Sequence, residues 1–439
     1  MAVRIDSFDT AGPGDTDGLA ARLGGHDPAR IRRLALLVKT EGSADVNDFS
    51  RELASWRARE VVLAHGGEAL LERSVFLHST GSEGAMTPFG YLIVEEAEPP
   101  GGGGPGTGGA APGGGAPGTG GPGAAGGFGA GSGPGDTGGS GGFGATGGSP
   151  STGRSASTGG SASARPTGTL ALGVGRSRTI RGSEVGSAQH VELAERAVAE
   201  AVADAGLTPA DVALAVVKTP LTATDEPIRV TSAEAKAVGA LGAALALGEV
   251  DRADVVPAAF GRDLALYSRR TMVFSSTEAA RVEVLVLGNR PGAGGDLRIA
   301  SGLLDDVLDA PGIRRVLAAA GAELTPEGSV REPERVAALL IKSGYRQDGT
   351  LRGARTTVLT SHLDPDKHTR AVMSGVAGAV LGTGRMFISA NSVHQAPDGG
   401  GLCVAIVGPA GPGPAAVGSP VVGTEVVGSA VAGSAGGAV

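Results

Sequence analysis

Several things are scarce in this chain, and each scarcity closes a class of function. A single cysteine, Cys403, excludes an internal disulfide and any cysteine-based metal cluster. Aromatics make up 3% of the residues against 41% hydrophobic overall, so the cores must rest mainly on Ala, Val and Leu. No block of Lys and Arg interrupts the formal charge of −8, which argues against nucleic acid or an anionic membrane as partner. No apolar run is long enough to span a bilayer, and the first residues lack the apolar segment of a secretion signal. We therefore expect a soluble, cytoplasmic protein. His78, His190, His362, His368 and His394 are scattered, without the paired spacing of a metal-dependent hydrolase, and read as ordinary surface or hydrogen-bonded residues. The abundant glycines of the 101–148 stretch form no phosphate loop, because no strand feeds them and no Gly-Lys-Ser/Thr follows.

The 439 residues are divided by composition. Residues 99–167 are almost wholly Gly, Pro, Ser, Thr and Ala and cannot bury enough apolar surface to offset the entropy of ordering, so they read as a disordered insertion. Residues 410–439 read as a low-complexity tail. The remainder contains a repeat. Three short apolar runs end in lysine plus a hydroxyl residue: Leu34 to Lys39-Thr40, Leu214 to Lys218-Thr219, and Leu339 to Lys342-Ser343. Downstream of each, a second run ends in serine: Val75 to Ser79-Thr80, Met272 to Ser275-Ser276, and Met386 to Ser389-Ala390. Their lengths and β-branched content suit strands buried on both faces.

The interval from each lysine to its serine leaves room for a helix carrying a basic residue near its start. These helices are expected from about Val46 (with Arg51), from the capping-box pattern Thr231 to Glu234 (with Lys236), and from about Thr369 (with Arg370). Further amphipathic helices are expected over His190 to Ala205 and Leu303 to Ala320. The pattern predicts three homologous α/β units, at 1–98, 168–289 and 290–409.

A lysine, a serine and a second basic residue recurring three times is a chemical pattern, since a fold alone would repeat only apolar positions. Serine needs a neighbouring base to become a nucleophile, and a desolvated lysine can serve as that base. A second cation would bind a carbonyl oxygen, and backbone N–H groups beyond the serine would hold an oxyanion. If the units meet about a pseudo-threefold axis, three such sets face one pocket suited to a flat ring edged with carbonyls.

These residues resemble the ring-opening amidohydrolases, the family of cyanuric acid hydrolase and barbiturase. The likeness is carried by Pro13-Gly14-Asp15-Thr16, Lys39-Thr40-Glu41-Gly42, Val46-Asn47-Asp48, Ser79 to Gly84, Lys218-Thr219-Pro220-Leu221, Arg352-Gly353 and His394 to Gly401. The resemblance implies a pseudo-threefold fold around one active site, a homo-oligomer (a tetramer), a small cyclic amide as substrate and no cofactor. It also implies that Lys218 is the general base and Ser275 the nucleophile. Arg51, Ser79, Thr80, Lys236, Ser276, Arg370, Ser389 and Ala390 would then hold the substrate, with Lys39 and Lys342 as further dyad lysines.

The chain departs from the family in three places. Lys236 stands where the family has arginine, replacing a planar fork by a point charge. The motif Phe274-Ser275-Ser276-Thr277-Glu278 lacks the family's glycine and one residue, which leaves Ser275 and Ser276 both open as nucleophile. Gly344 replaces a metal-binding glutamate and offers no carboxylate to a hard cation, so no metal is expected. We expect a cyclic-amide hydrolase acting on neither cyanuric nor barbituric acid. The alternatives are a true cyanuric acid hydrolase or barbiturase, and a catalytically inactive binding relative.

Overall fold

The computed structural model describes residues 1–42, 48–97, 168–221 and 230–409. The expected insertion, the expected tail and Val46-Asn47 lie outside the described residues.

One order of elements occurs three times. The first repeat runs β1 (Ala2–Asp9), α1 (Asp17–Leu23), β2 (Ile31–Thr40), α2 (Ser50–Leu71), β3 (Ser74–Thr80) and β4 (Phe89–Glu96). The second runs β5 (Thr169–Thr179), α3 (Ala188–Asp204), β6 (Val212–Pro220), α4 (Ser232–Ala246), β7 (Thr271–Ser276) and β8 (Arg281–Arg290). The third runs β9 (Arg298–Leu304), α5 (Ala310–Ala320), β10 (Val336–Ser343), a short hairpin of β11 (Thr350–Leu351) and β12 (Ala354–Arg355), α6 (Pro365–Leu381), β13 (Phe387–Ala390) and β14 (Gly401–Val407). Each repeat makes a four-stranded sheet of the same order: β1-β4-β2-β3, β5-β8-β6-β7 and β9-β14-β10-β13. In every sheet the lysine strand pairs parallel with the serine strand and antiparallel with the repeat's last strand. The fold is thus α/β, three repeats with pseudo-threefold symmetry.

Period-two alternation explains how the sheets assemble. One face of each contributes to a single shared core, with Leu37 and Leu77 from the first repeat, Val216 and Phe274 from the second, and Leu340 and Phe387 from the third. The opposite face of each sheet packs on its own helices, through Leu36 and Val62, Val217 and Ala240, and Ile341 and Ala377. A strand buried on both faces must be apolar throughout, which is why β2, β6 and β10 read as unbroken runs. Helices α3 and α4 approach closely because Gly242 carries no Cβ; one there would lie 2.5 Å from the Val191 carbonyl oxygen and 2.9 Å from the Glu195 nitrogen.

Helix α2 begins at Ser50, four residues after the expected start at Val46, and two further helix starts differ from the sequence reading. Leu303 and Leu304 end β9, and α5 begins at Ala310, where the Asp309 carboxylate accepts from the Gly312 N–H at 2.7 Å. Helix α6 begins at Pro365, before Thr369, because Asp364 caps it by accepting from the Lys367 N–H at 3.1 Å. Helix α4 starts as its capping box predicts, with Thr231 accepting from the Glu234 N–H at 3.2 Å. Among the described residues, no helix is long and apolar enough to cross a membrane.

Candidate active site

The recurring polar residues sit at the carboxyl ends of the parallel strand pairs, where α/β sheets commonly bind ligands. Lys39 lies opposite Ser79 and Lys342 opposite Ser389. Each lysine Nζ is 3.2 Å from the serine Oγ. Lys39 also donates to the Thr80 carbonyl at 2.8 Å, and Lys342 to the Val273 carbonyl at 2.9 Å. Both lysines are fully buried, whereas Ser79 and Ser389 keep 7% and 6% of their surface exposed, enough for a ligand to touch.

The second repeat differs. Lys218 lies opposite Phe274, and Ser275 lies opposite Thr219. The expected meeting of Lys218 with Ser275 is therefore not made, because a shift of one residue turns a side chain to the other face of a sheet. By alternation Ser276 shares the inner face with Met272 and Phe274, as Ser79 does with Val75 and Leu77. A second relation supports this equivalence. Lys218 donates to the Phe76 carbonyl at 2.8 Å and Lys342 to that of Val273, in each case three residues before Ser79 or Ser276. Ser276 is fully buried and accepts from the Ala279 N–H at 3.0 Å. The Ser275 hydroxyl meets that of Ser232 at the start of α4.

The helix cations reach into the following repeat. Arg51 of the first repeat donates to Glu278 at 3.0 Å, to the Ser275 carbonyl at 3.0 Å and to Thr277 at 3.1 Å in the second. Arg370 of the third repeat grips Glu83 of the first through Nε and, at 2.7 Å, through Nη2. Lys236 of the second repeat faces the third, where Asp366 stands 4.0 Å away. The strand lysines reach the opposite way round: Lys39 lies over the Phe387 ring of the third repeat and Lys342 over the Phe274 ring of the second.

The two sets of cations leave the three lysines in unlike electrostatic settings. Burial holds Lys39 and Lys342 well below the ordinary lysine pKa of 10.5, and Arg370 and Lys236 respectively push in the same direction. Lys218 is also lowered by burial, but Glu278 and Glu283 oppose the shift. Glu278 forms an ion pair with Lys218 while its other oxygen accepts from Arg51. Burial alone would raise the Glu278 carboxyl; Lys218 and Arg51 outweigh it and hold the pKa at about 2. The sequence pattern assigns no site role to Glu83, Glu278, Asp366 or Ser232. The visible signal was spacing: the acid follows Ser79 by four residues and Ser276 by two, and none follows Ser389 before His394.

The remaining candidates fall into place around this cluster. Thr80 and Ala390, directly after their serines, are buried at the strand ends. At Gly344 any side chain would overlap the Ser392 hydroxyl, which donates to the Gly400 carbonyl at 2.9 Å. That position does not fit a carboxylate ligand, and no group of three or more His, Cys, Asp or Glu arranged for a metal occurs among the described residues. His78 departs from the expectation of an ordinary histidine. It is buried, its Nδ1 lacks a hydrogen-bond partner among the described residues, and burial with nearby Lys218 lowers its pKa to about 3.

Comparison with known proteins identifies relatives of the whole fold. A family profile described as "Amidohydrolase ring-opening protein" matches residues 4–105 and 143–408. A cyanuric acid amidohydrolase of Ectopseudomonas oleovorans is 31% identical, over 93% of this chain and 99% of that protein. A cyclic amide hydrolase of Azorhizobium caulinodans is 29% identical, over 93% of this chain and 100% of that protein. The crystal structure of a cyanuric acid hydrolase from A. caulinodans superposes with a TM-score of 0.70 at 28% identity, covering 93% and 99% of the two chains.

Proposed function

This chain belongs to the ring-opening amidohydrolase family, and from that membership we propose that it opens a small cyclic amide by serine–lysine chemistry, on a ring that is neither cyanuric nor barbituric acid. As a family member it is a hydrolase of cyclic-amide C–N bonds. The observation that carries the serine–lysine reading is the pair of buried Nζ–Oγ contacts at 3.2 Å, with each amine screened from water and without a direct carboxylate partner among the described residues. An amine so placed is a base able to accept the serine proton.

The substrate reading rests on Lys236. A part-buried ammonium meets one carbonyl as a point donor, where a guanidinium would span two acceptors, so the ring edge facing the third repeat differs from one read by arginine. The resemblance points to Lys218 with Ser275 or Ser276 as the reacting pair. Turnover that survives Lys218→Ala and both serine substitutions would remove the second repeat from the chemistry. A homo-oligomer, tetrameric by the same resemblance, belongs to this reading and is checked by light scattering on the purified protein.

The test is incubation with cyanuric acid, barbituric acid and a panel of cyclic imides, lactams and ureides, with ring opening followed by mass spectrometry. Strong turnover of either of the first two rings would overturn the substrate reading. Silence across the panel would favour the second reading, a binding protein without catalysis, which the Lys218–Glu278 ion pair supports.

A further inference from the structure

We infer that Glu283 is a positioning residue for ring opening that acts through Lys218: it is the cross-strand carboxylate that keeps this one lysine a strong enough base for its serine. The inference rests on the ring-opening reading above, with Lys218 as general base, and adds a residue to it.

The geometry comes from the cross-strand rows of the three sheets. Each strand lysine has a direct antiparallel neighbour on the last strand of its repeat: Phe89 opposite Lys39, Leu402 opposite Lys342 and Glu283 opposite Lys218. Side chains so placed share a face of the sheet, with Cβ atoms about 4.5–5.5 Å apart. Phe89 and Leu402 belong to the shared core, so hydrocarbon stands beside two of the lysines. In the second repeat a carboxylate takes that place, on the face of β8 that sends Leu285 and Leu287 into the same core.

An acid on a core face needs a reason, because burying a charge is costly unless it is paired. Glu283 is buried, at 3% exposure. The cations around it are Arg59 of α2 at 3.8 Å, Arg281 of its own strand at 3.7 Å, and Arg176 directly opposite on β5. Both ion pairs lie beyond hydrogen-bond reach, and Glu283 Oε2 has no hydrogen-bond partner among the described residues. The Arg59 and Arg281 side chains are 36% and 46% exposed, so water screens their pull. Lys218 is fully buried, and the field of Glu283 reaches it with little screening.

Around Lys218 stand Glu278 from the serine loop, Glu283 from β8, Arg51 from α2 and His78 from β3. Burial lowers all three strand lysines. Glu83 opposes the fall at Lys39 and Asp366 opposes it at Lys342, yet both remain well below the ordinary value. At Lys218 two acids oppose it, Glu278 first and Glu283 second. A general base must be strong enough to take a proton and weak enough to return it, which sets its best pKa near the working pH. A lysine far below that range is neutral but takes the serine proton poorly. The second repeat therefore holds the strongest base of the three, and Glu283 is the part of its setting that the other two sheets replace with hydrocarbon.

In the reaction the serine proton passes to neutral Lys218 Nζ as the serine oxygen bonds to a ring carbonyl carbon. It passes on to the ring nitrogen as the C–N bond breaks, which leaves an open chain esterified to the serine. Water attacks that ester, gives one proton through Lys218 back to the serine oxygen, and releases a carboxylic acid. Glu283 exchanges no proton in these steps. It favours the charged form of Lys218 at the two moments when the amine holds the proton.

The experiment uses the full chain, labelled with 15N at lysine Nζ, with the signals of Lys39, Lys218 and Lys342 assigned by their methionine variants. In the wild type the Lys218 signal should titrate at a higher pH than the other two; this comparison does not depend on Glu283→Gln folding. In Glu283→Gln it should titrate lower by about one pH unit or more, since a carboxylate that favoured the ammonium is gone. On whichever ring of the panel the wild type opens, Glu283→Gln should move the acid limb of kcat/KM down by the same interval and lower the plateau kcat several-fold with KM unchanged. Glu283→Asp should recover part of both. A role confined to packing would lower the melting temperature and leave the limb in place. A wild-type Lys218 that titrates with or below Lys39 and Lys342, or a limb unmoved in folded Glu283→Gln, overturns the inference and leaves the ring-opening reading standing. A wild type that opens no ring in the panel overturns both.

Discussion

Lys218 faces Phe274 across the parallel strands of the second repeat, where Lys39 and Lys342 each face a serine. The aligned residue sits two places before Ser276, and the acid that follows is in contact with the lysine. A serine-to-acid interval two residues shorter than in the first repeat thus makes this lysine half of an ion pair.

Removing that acid should be costly. Glu278→Gln leaves Lys218 buried beside Arg51 without its counter-charge, and breaking such a pair typically costs about 3–5 kcal/mol. Chemical denaturation should show this as a lower midpoint with an unchanged slope. An unshifted midpoint would mean that the buried pair contributes nothing net.

Acid should unfold the protein in two overlapping stages. His78 and His190 are lowered from 6.5 to about 3 and about 4 by burial, so the unfolded chain binds their protons first. Stability from these groups is complete above pH 6.5 and is lost as pH falls toward those folded values. Glu278, depressed from 4.5 to about 2, adds a loss below pH 4.5 worth about 3 kcal/mol in all. Melting temperature measured from pH 8 to pH 3 should fall steadily below pH 6.5, and His78→Leu should flatten the upper part of that fall. A profile flat to pH 4.5 would contradict it.

Gly242→Ala should destabilise the second repeat by about 1–3 kcal/mol, since the new methyl group meets rigid helix backbone at the α3–α4 contact. The same change at Gly248, where a Cβ meets nothing within 4 Å but φ is +67°, should act through backbone strain alone. Thermal melts of the two variants separate packing from conformation.

Restoring arginine at position 236 should move the specificity. Lys236→Arg supplies a planar fork in place of a point donor, and turnover of cyanuric or barbituric acid should rise about tenfold relative to the preferred ring, a change of about 1.4 kcal/mol. Unchanged relative rates would show that this position does not read the substrate.

Much of this architecture was legible because the same solution is written three times. Apolar runs ending at Lys39, Lys218 and Lys342 had to be strands covered on both faces, and the polar end of each had to face something shared. The strands β1, β5 and β9, which open the repeats, went unread because nothing chemical marks their ends. The register of β7 was illegible for a different reason. Ser275 and Ser276 are the same letter, and only pairing with β6 decides which one faces inward. The starts of α5 and α6 were displaced because their caps, Asp309 and Asp364, lie in stretches where charge patterns also suit a continuing helix or a loop.

The strand lysines lean one way around the axis and the helix cations the other, so every corner of the polar cluster is built by more than one repeat. In an assembly of three identical chains, any substitution would strike all three corners at once. Here each corner has its own codon. One corner can lose a base, another can exchange arginine for lysine, and the third can keep its original chemistry, all within a single reading frame. Such a cluster can acquire a front and a back, and with them the means to tell apart the edges of a ring.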